Sequence, residues 1–252
     1  MQGRNPEAST QSSSGQRLAV VLACLLLLAG CGPAARVSTP LSTVMPARAL
    51  PDTAYRLDDA RSELRLLVYR DGPLARLGHN HVLLGQQLDG ALVFAQPGRP
   101  ARFEVRLPVA ALRVDEPAAR AAAGPDFDSV PSAADIDGTR RHLLGPTQLD
   151  AQRYPLLRVE GTLETEAGES VAHAHLELRG QSTALDLPVT ITLGADRSVT
   201  VSGAFKLRQT TLGLVPYSVA LGALQVRDEV EISFRLVGQA PLGAVAPSSK
   251  KQ

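Results

Sequence analysis

The sequence predicts an all-β fold, an eight-stranded antiparallel up-and-down barrel with one short helix covering an end. Three observations lead to this prediction. Apolar and polar residues alternate with a period of two through most of the chain between residues 54 and 240, which is typical of strands with one face in a core and one in water. Clusters of Gly and Asp separate these stretches, as turns do. The stretches are long and the turns are short, which favours a closed barrel over a sandwich.

The strands are predicted in order from this alternation. It is clearest where Phe103, Val105, Leu107 and Val109 alternate with mostly charged residues. The predicted strands are 62–70, 80–95, 103–109, 156–165, 171–179, 184–193, 198–208 and 229–236. A barrel of eight strands has an interior that is either filled by side chains or able to hold one small ligand. The sequence leaves both outcomes open.

The segment between the third and fourth predicted strands departs from the alternation. Pro117 is followed by an Ala-rich stretch, Ala118–Ala123, which is predicted to be a turn. Ser132 is a residue type that caps helices, so a short helix is predicted over residues 133–144, lying over one end of the barrel. The last turn of this helix carries three side chains that suit the helix dipole when positively charged, Arg140, Arg141 and His142.

The first thirty residues are predicted to be a signal peptide. Arg17 precedes an uncharged aliphatic run that ends in Ala29-Gly30, and this run is too short to span a bilayer. The end of this run, Leu28-Ala29-Gly30-Cys31, resembles the lipobox of bacterial lipoproteins. In a lipobox the Cys becomes the acylated N-terminus after cleavage. We therefore expect an exported, periplasmic protein that is anchored through lipidated Cys31, to the outer membrane because Gly32 follows. The alternative is an ordinary secreted protein that is cut near Gly30.

The predicted organisation is a signal peptide over 1–30, an acylated Cys with a flexible tether over 31–53, a barrel over 54–240 and a disordered tail over 241–252. Every aromatic residue lies between 55 and 234. Acidic and basic residues balance once the signal is removed, which gives no reason to expect nucleic acid as a partner. Loss of Cys24 with the signal would leave the barrel without a disulfide. The sequence is compatible with a homodimer and does not determine the oligomeric state.

Several segments, in order, are similar to one known family. They include Leu77-Gly78-His79-Asn80-His81, Phe103–Val109, Leu149–Pro155, Leu178-Arg179-Gly180 and Phe205–Arg208. These segments resemble the YceI-like family of exported, polyisoprenoid-binding, lipocalin-like proteins, and the resemblance covers about residues 54–239. One departure is in the helix: the family's motif commonly reads Arg-Asp-x-His-Leu, whereas this chain has Arg140-Arg141-His142-Leu143 and lacks the acid. Few aromatic residues are present, so a tube in this chain would be lined by Leu, Val and Ile. The sequence therefore also allows a shorter lipid or one of another class.

The candidate polar site is His79, Asn80 and His81. Alternate residues of a strand face the same way, so the two imidazoles are predicted to share one space. At the mouth of the tube that the resemblance implies, they would contact a ligand head group. The alternative is a metal or haem role with His142, Asp115 or Asp135 as further ligands, although no metal ligand is assigned. Arg140, Arg141 and His142 are candidates to contact a phosphate or quinone oxygen. The alternative is a surface turn whose charges only match the helix dipole.

The candidate wall is apolar. It comprises residues predicted to line the interior or to fill it, Phe103, Val105, Leu107, Leu187, Val189, Phe205 and Phe234. His173 and His175 are predicted to face outward. No nucleophile elbow, zinc-protease helix or phosphate-binding loop is present in the sequence, so an enzyme is not expected. The hypothesis is a carrier or buffer for a long isoprenoid or quinone-like lipid, with no other cofactor. The alternatives are the metal- or haem-associated protein and a structural or partner-binding barrel with a filled interior.

Overall fold

The computed structural model describes residue 51 and residues 53–241. The predicted signal peptide, Cys31, nearly all of the tether and nearly all of the tail lie outside the described residues. In the described part of the chain, two α-helices and twelve strand segments are present. The helices are α1 (Pro117–Ala123) and α2 (Ala133–Leu144). The strands are β1 (Tyr55–Leu57), β2 (Glu63–Asp71), β3 (His81–Gly85), β4 (Asp89–Val93), β5 (Ala101–Pro108), β6 (Arg113–Val114), β7 (Leu156–Glu166), β8 (Glu169–Leu178), β9 (Gln181–Leu193), β10 (Ser198–Arg208), β11 (Ser218–Val219) and β12 (Leu224–Gln239).

The strands form a closed antiparallel barrel. β1 and β2 are two segments of one bent strand, and β3 and β4 are two segments of the next, since β1 pairs with β4 and β2 pairs with β3. Counted in this way, eight strands follow one another around the barrel in chain order, and β12 closes it by pairing with both β1 and β2. The prediction of an eight-stranded up-and-down barrel is confirmed.

The long second strand predicted over 80–95 is interrupted at residues 86–88. Gln87 has a φ of +59° there, a conformation that breaks the pleat. The carboxylate of Asp59, at the bend between β1 and β2, accepts hydrogen bonds from the backbone N–H groups of Gln87 and Leu88 at 3.1 and 2.8 Å. The bends in the two neighbouring strands are therefore bonded to each other.

The prediction of a single helix is wrong, because the described residues contain two. The bounds of α2 match the predicted 133–144, and a capping box explains where it begins: the Ser132 hydroxyl accepts from the backbone N–H of Asp135, whose carboxylate accepts from the N–H of Ser132. The Ala-rich stretch predicted as a turn is α1. Pro117 occupies its first turn, where a missing N–H costs nothing, and Ala is the strongest helix former.

The two ends of the barrel differ. At the closed end lie the turns 94–100, 167–168 and 194–197, and the interior is sealed there by side chains that are all less than 10% exposed. The sealing residues are Tyr55, Leu92, Ala101, Leu163, Ala172 and Val199. At the open end lie the long connections 72–80, 109–155 and 209–223, which include both helices. Within the described range, neither helix has the length and apolar character needed to cross a bilayer.

Strand β7 comes very close to strand β8 at one glycine. A Cβ atom added at Gly161 would lie 2.0 Å from the carbonyl oxygen of His173. Gly138, on α2, has no such neighbour: its nearest contact would be a guanidinium nitrogen of Arg141 at 3.9 Å. The same substitution should therefore have opposite effects at the two positions.

We expect Gly161→Ala to lower the free energy of unfolding by about 1–3 kcal/mol, because the strands must separate to admit the methyl group. Gly138→Ala should raise it by about 0.5–1 kcal/mol, because Ala restricts the unfolded chain and favours the helix. Chemical denaturation measures both values. A Gly161→Ala protein as stable as the unsubstituted chain would contradict the close approach of β7 and β8.

Candidate ligand-binding cavity

The interior of the barrel is hollow. It contains a cavity of about 700 Å³ that runs from the sealed residues of the closed end toward the open end. This volume lies within the range of about 300–1,000 Å³ that is usual for small-molecule sites. The period-two alternation explains the lining, because each strand turns one of its faces inward.

The cavity wall is almost entirely aliphatic, with two phenylalanines from β10 and β12 side by side. Gly203 makes room for one of them, since a Cβ there would lie 2.8 Å from the Phe234 ring, and the rings of Phe205 and Phe234 are 6.5 Å apart. All seven predicted wall residues line the cavity, Phe103, Val105, Leu107, Leu187, Val189, Phe205 and Phe234. Leu64, Leu66 and Val68 of β2 also line it, and their period-two spacing within the predicted strand 62–70 is the signal that identifies them.

The cavity reaches the surface between the segments 72–80 and 209–223 and helix α2, and we call this opening the mouth. Leu77, Tyr217 and Val219 line the cavity there and are also exposed, with Leu77 66% exposed. His142, from α2, lines the same opening and packs against Tyr217, with 4.7 Å between ring centroids and an angle of 42° between the ring planes. An apolar chain could therefore enter lengthwise with its head group at the mouth.

His79 and His81 both line the cavity near the mouth, as the spacing predicts, with their ring centroids 6.5 Å apart. The Nδ1 atom of His79 is buried and has no hydrogen-bond partner, and its Nε2 atom is 4.0 Å from a carboxylate oxygen of Asp135. The Nδ1 atom of His81 is 2.6 Å from a carboxylate oxygen of Asp115. Nε2 is therefore the His81 nitrogen that is left for a ligand.

Asp115 orients His81 from a fully buried position. Its second carboxylate oxygen accepts from the backbone N–H of Val82 at 2.9 Å and from the guanidinium of Arg120 at 2.6 Å. Burial by itself would raise the pKa of Asp115, but the hydrogen bonds from His81 and Val82 and the pairing with Arg120 lower the pKa of this carboxyl below its ordinary value. An ionised Asp115 carboxylate can only accept, so it accepts a hydrogen bond from the Nδ1–H of His81 and turns Nε2 away from itself.

Arg120 connects this pair to the segment that follows α1. Its guanidinium donates to the carbonyl oxygens of Asn80, Phe127 and Ser129 at 2.7, 2.8 and 2.6 Å. Arg120 is buried, so its charge depends on Asp115 for compensation. The network fixes the loop before β3, and with it the position of both imidazoles.

Three predicted ligand contacts are corrected by the structure, because Asn80, Arg140 and Arg141 do not line the cavity. Asn80, just before β3, is buried and its side chain accepts from the N–H of Arg70 and donates to the carbonyl of Asp126. Arg140 donates to the carbonyl oxygens of Leu112 and Ala110 and so attaches α2 to the barrel. Arg141 lies on the exposed side of α2, and only His142 of this trio reaches the cavity.

The described residues do not form the metal site that the alternative hypothesis requires. Among residue 51 and residues 53–241, no group of three or more His, Cys, Asp or Glu side chains is arranged to hold an ion. Asp115 already compensates Arg120. On the outer face, His173 hydrogen-bonds Asp186 and Glu164 at 2.7 and 3.2 Å, and His175 is exposed, so both side chains face outward as the alternation predicts.

A family model for the YceI-like domain matches residues 55–238. The chain belongs to the YceI-like family. Two solved structures share its fold. BcnA from Burkholderia cenocepacia has a TM-score of 0.52 at 15% identity, with 72% of this chain and 98% of that one covered. A polyisoprenoid binding domain from Saccharophagus degradans, implicated in plant cell wall breakdown, has a TM-score of 0.52 at 13% identity, with 75% and 99% covered. No curated protein matches the chain in sequence.

We expect Asp115→Asn to destabilise this YceI-like barrel by about 3–5 kcal/mol, because it leaves the buried Arg120 charge uncompensated. The lowered pKa means that the carboxylate stabilises the fold fully above about pH 4, and that this contribution is lost as the pH falls through the folded-state value. The difference in unfolding free energy between the two proteins should therefore shrink below about pH 4. Denaturation at several pH values measures it. Asp128→Asn, an exposed neighbour, is the control and should leave stability unchanged.

Proposed function

We propose that this protein binds one molecule of a long apolar lipid, of the isoprenoid or quinone type, and carries or buffers it in the bacterial cell envelope. The observation that carries the proposal is the apolar cavity of about 700 Å³, sealed at one end and open at a mouth that holds histidines. The polyisoprenoid binding domain from Saccharophagus degradans shares the fold, which supports the same class of ligand here.

The cavity wall determines which ligands bind favourably. It offers almost no hydrogen-bond partners, so a polar group placed along it would lose its water without compensation. A hydrocarbon tail instead gains roughly 25 cal/mol for each Å² of apolar surface removed from water, less the cost of ordering the chain. Because the wall is mainly Leu, Val and Ile, it selects for a flexible aliphatic chain rather than for stacked rings.

The mouth determines where the head group lies. His79, His81 and His142 line the cavity on the side where it opens. His81 is held by Asp115 with Nε2 free, and the buried Nδ1 of His79 lacks a partner. A quinone carbonyl or a phosphate oxygen placed at the mouth would accept a hydrogen bond from an imidazole N–H, and the unpartnered Nδ1 of His79 is the group placed to donate it. The protein acts in this proposal by binding and release, with no catalytic step.

The location in the envelope is part of the proposal and depends on Cys31. Acyl chains on that residue would anchor the barrel to a membrane. Export follows from the same segment, since the run before Cys31 has the features of a signal peptide. Mass determination of the protein purified from membranes tests this: an acylated N-terminal Cys31 supports the anchor, and an unmodified chain cut near Gly30 contradicts it.

A single Trp inside the barrel should detect the lipid directly, because the chain contains no Trp. We expect Phe205→Trp, on the cavity wall, to be quenched strongly and saturably by a quinone with a long isoprenoid tail, with one quinone bound per chain in native mass spectrometry. Ala204→Trp, on the exposed outer face of the same strand, is the matched control and should not show saturable quenching. A folded Phe205→Trp protein that is not quenched would rule out the carrier.

The head-group assignment predicts a selective loss. His79→Ala should weaken binding of that quinone by roughly 2–10-fold, the value of one hydrogen bond, while leaving the affinity for an isoprenoid hydrocarbon without a head group unchanged. Competition against the fluorescence titration measures both. His173→Ala, on the outer face, is the control. An equal loss for quinone and hydrocarbon would mean that His79 acts through packing rather than through the head group.

A further inference from the structure

Exposed apolar side chains surround the mouth of the cavity. They lie on two segments, residues 72–80 and 209–223, which we call the rim loops. Leu77, Val215 and Leu221 are 66%, 74% and fully exposed. Of the eight large apolar side chains that are exposed in the described part of the chain, five lie on the rim loops, including Tyr217 and Val219. Apolar surface gathered in this way indicates a site of interaction.

The two rim loops form one surface. The backbone N–H of Leu74 donates to the carbonyl oxygen of Ala223 at 2.7 Å. Gly72 approaches the same carbonyl so closely that a Cβ atom would lie 2.7 Å from it. The apolar side chains of both loops are therefore presented together, at the place where the cavity opens.

The backbone at Leu221 is held in a conformation that bulky residues avoid. Ala220, Leu221 and Gly222 have φ values of +51°, +56° and +90°, and the first two are strained for residues with a side chain. The result is a Leu side chain that points into solvent and packs against nothing. Strain at an exposed apolar residue does not stabilise the barrel, which indicates a role in contact with another body.

The charges of the rim loops indicate what kind of partner they contact. Residues 209–223 contain no charged residue, and residues 72–80 contain one, Arg76. Arg76 is exposed and has no ion pair within the described residues. This combination suits a bilayer, in which aliphatic side chains enter the acyl region, Tyr lies at the interface and an Arg meets lipid phosphates. Asp135, an acidic residue that lines the mouth, lies on α2, which would then remain on the water side.

We propose that the rim loops insert into the surface of a lipid bilayer and that the ligand passes between bilayer and cavity through the mouth. This rests on the proposed function, since Leu77, Tyr217 and Val219 belong to both the rim loops and the cavity lining. A tail leaving the cavity there would pass from one apolar medium to another. The chain from Cys31 to the barrel joins the closed end, but its 22 residues can extend to about 75 Å, whereas an 11-residue strand spans about 36 Å. An anchor at Cys31 would therefore allow the mouth to face the same membrane.

Single Trp residues test the orientation in the full chain. On vesicles of phosphatidylethanolamine and phosphatidylglycerol, Leu221→Trp should shift its emission to the blue and be quenched by phospholipids that carry nitroxide labels. Val215→Trp is a second reporter on the rim loops. Leu193→Trp, also exposed but at the closed end, shares the same anchor and should show neither effect. Equal quenching of the Leu221 and Leu193 reporters, or quenching of neither rim reporter, would overturn the proposal.

A blue shift of Leu221→Trp that requires no vesicles and increases with protein concentration would also overturn it, because the rim loops would then bind a second copy of the chain.

Transfer of the quinone separates this proposal from the proposed function. Val215→Asp combined with Leu221→Asp should slow transfer from protein to vesicles by at least about tenfold, because each inserted aliphatic side chain contributes more than the free energy of a tenfold change. Both positions are exposed, so saturable quenching of Phe205→Trp by the quinone in detergent should persist in this background. If the double variant transfers the quinone as fast as the unsubstituted chain while Phe205→Trp is still quenched, the docking on the bilayer is overturned. If Phe205→Trp is not quenched even without the two rim substitutions, the carrier itself is overturned.

Discussion

The closure of a strictly alternating antiparallel sheet is the constraint on which the rest of this structure depends. Once β12 pairs with both β1 and β2, every inward-facing residue must lie on one continuous apolar surface. The inward positions are mostly Leu, Val and Ile, with few aromatic rings, and side chains of that size do not fill the interior. The cavity is therefore a consequence of residue size combined with strand number.

The open end is organised by one buried ion pair, Asp115 with Arg120. Asp115 joins β3, through the Val82 N–H and the His81 ring, to Arg120 on α1. Arg120 in turn binds three carbonyl oxygens of neighbouring segments. Such a network is costly to bury and loses its value if one member is removed. The network lies where the regular strand pairing ends. The segments there have no neighbouring strand for their backbone hydrogen bonds, and Arg120 supplies donors to three of their carbonyl oxygens.

The polar and apolar parts of the mouth are segregated. Asp135 and His142 line the mouth from α2, whereas the exposed aliphatic side chains lie on the rim loops, which carry His79 where residues 72–80 lead into β3. A lipid has the same division between head and tail. A mouth divided in this way can hold a head group on the polar side while the exposed apolar side chains shield the tail as it enters or leaves. Binding and delivery thus use adjacent parts of one surface, although they depend on different residues.

The sequence by itself determined the strands, the barrel, the wall and the bounds of α2, because these follow from local rules: side chains alternate along a strand, and Ser132 caps the helix three residues before Asp135. The alternation that places His79 and His81 together also turns Asn80 the other way, toward Arg70 and Asp126. Only the tertiary structure decided that Arg140 binds the carbonyls of Ala110 and Leu112, that Asp115 holds His81, and that the interior is hollow. Each of these depends on groups that are distant in the chain, and their meeting is set by how the closed sheet brings its connections together.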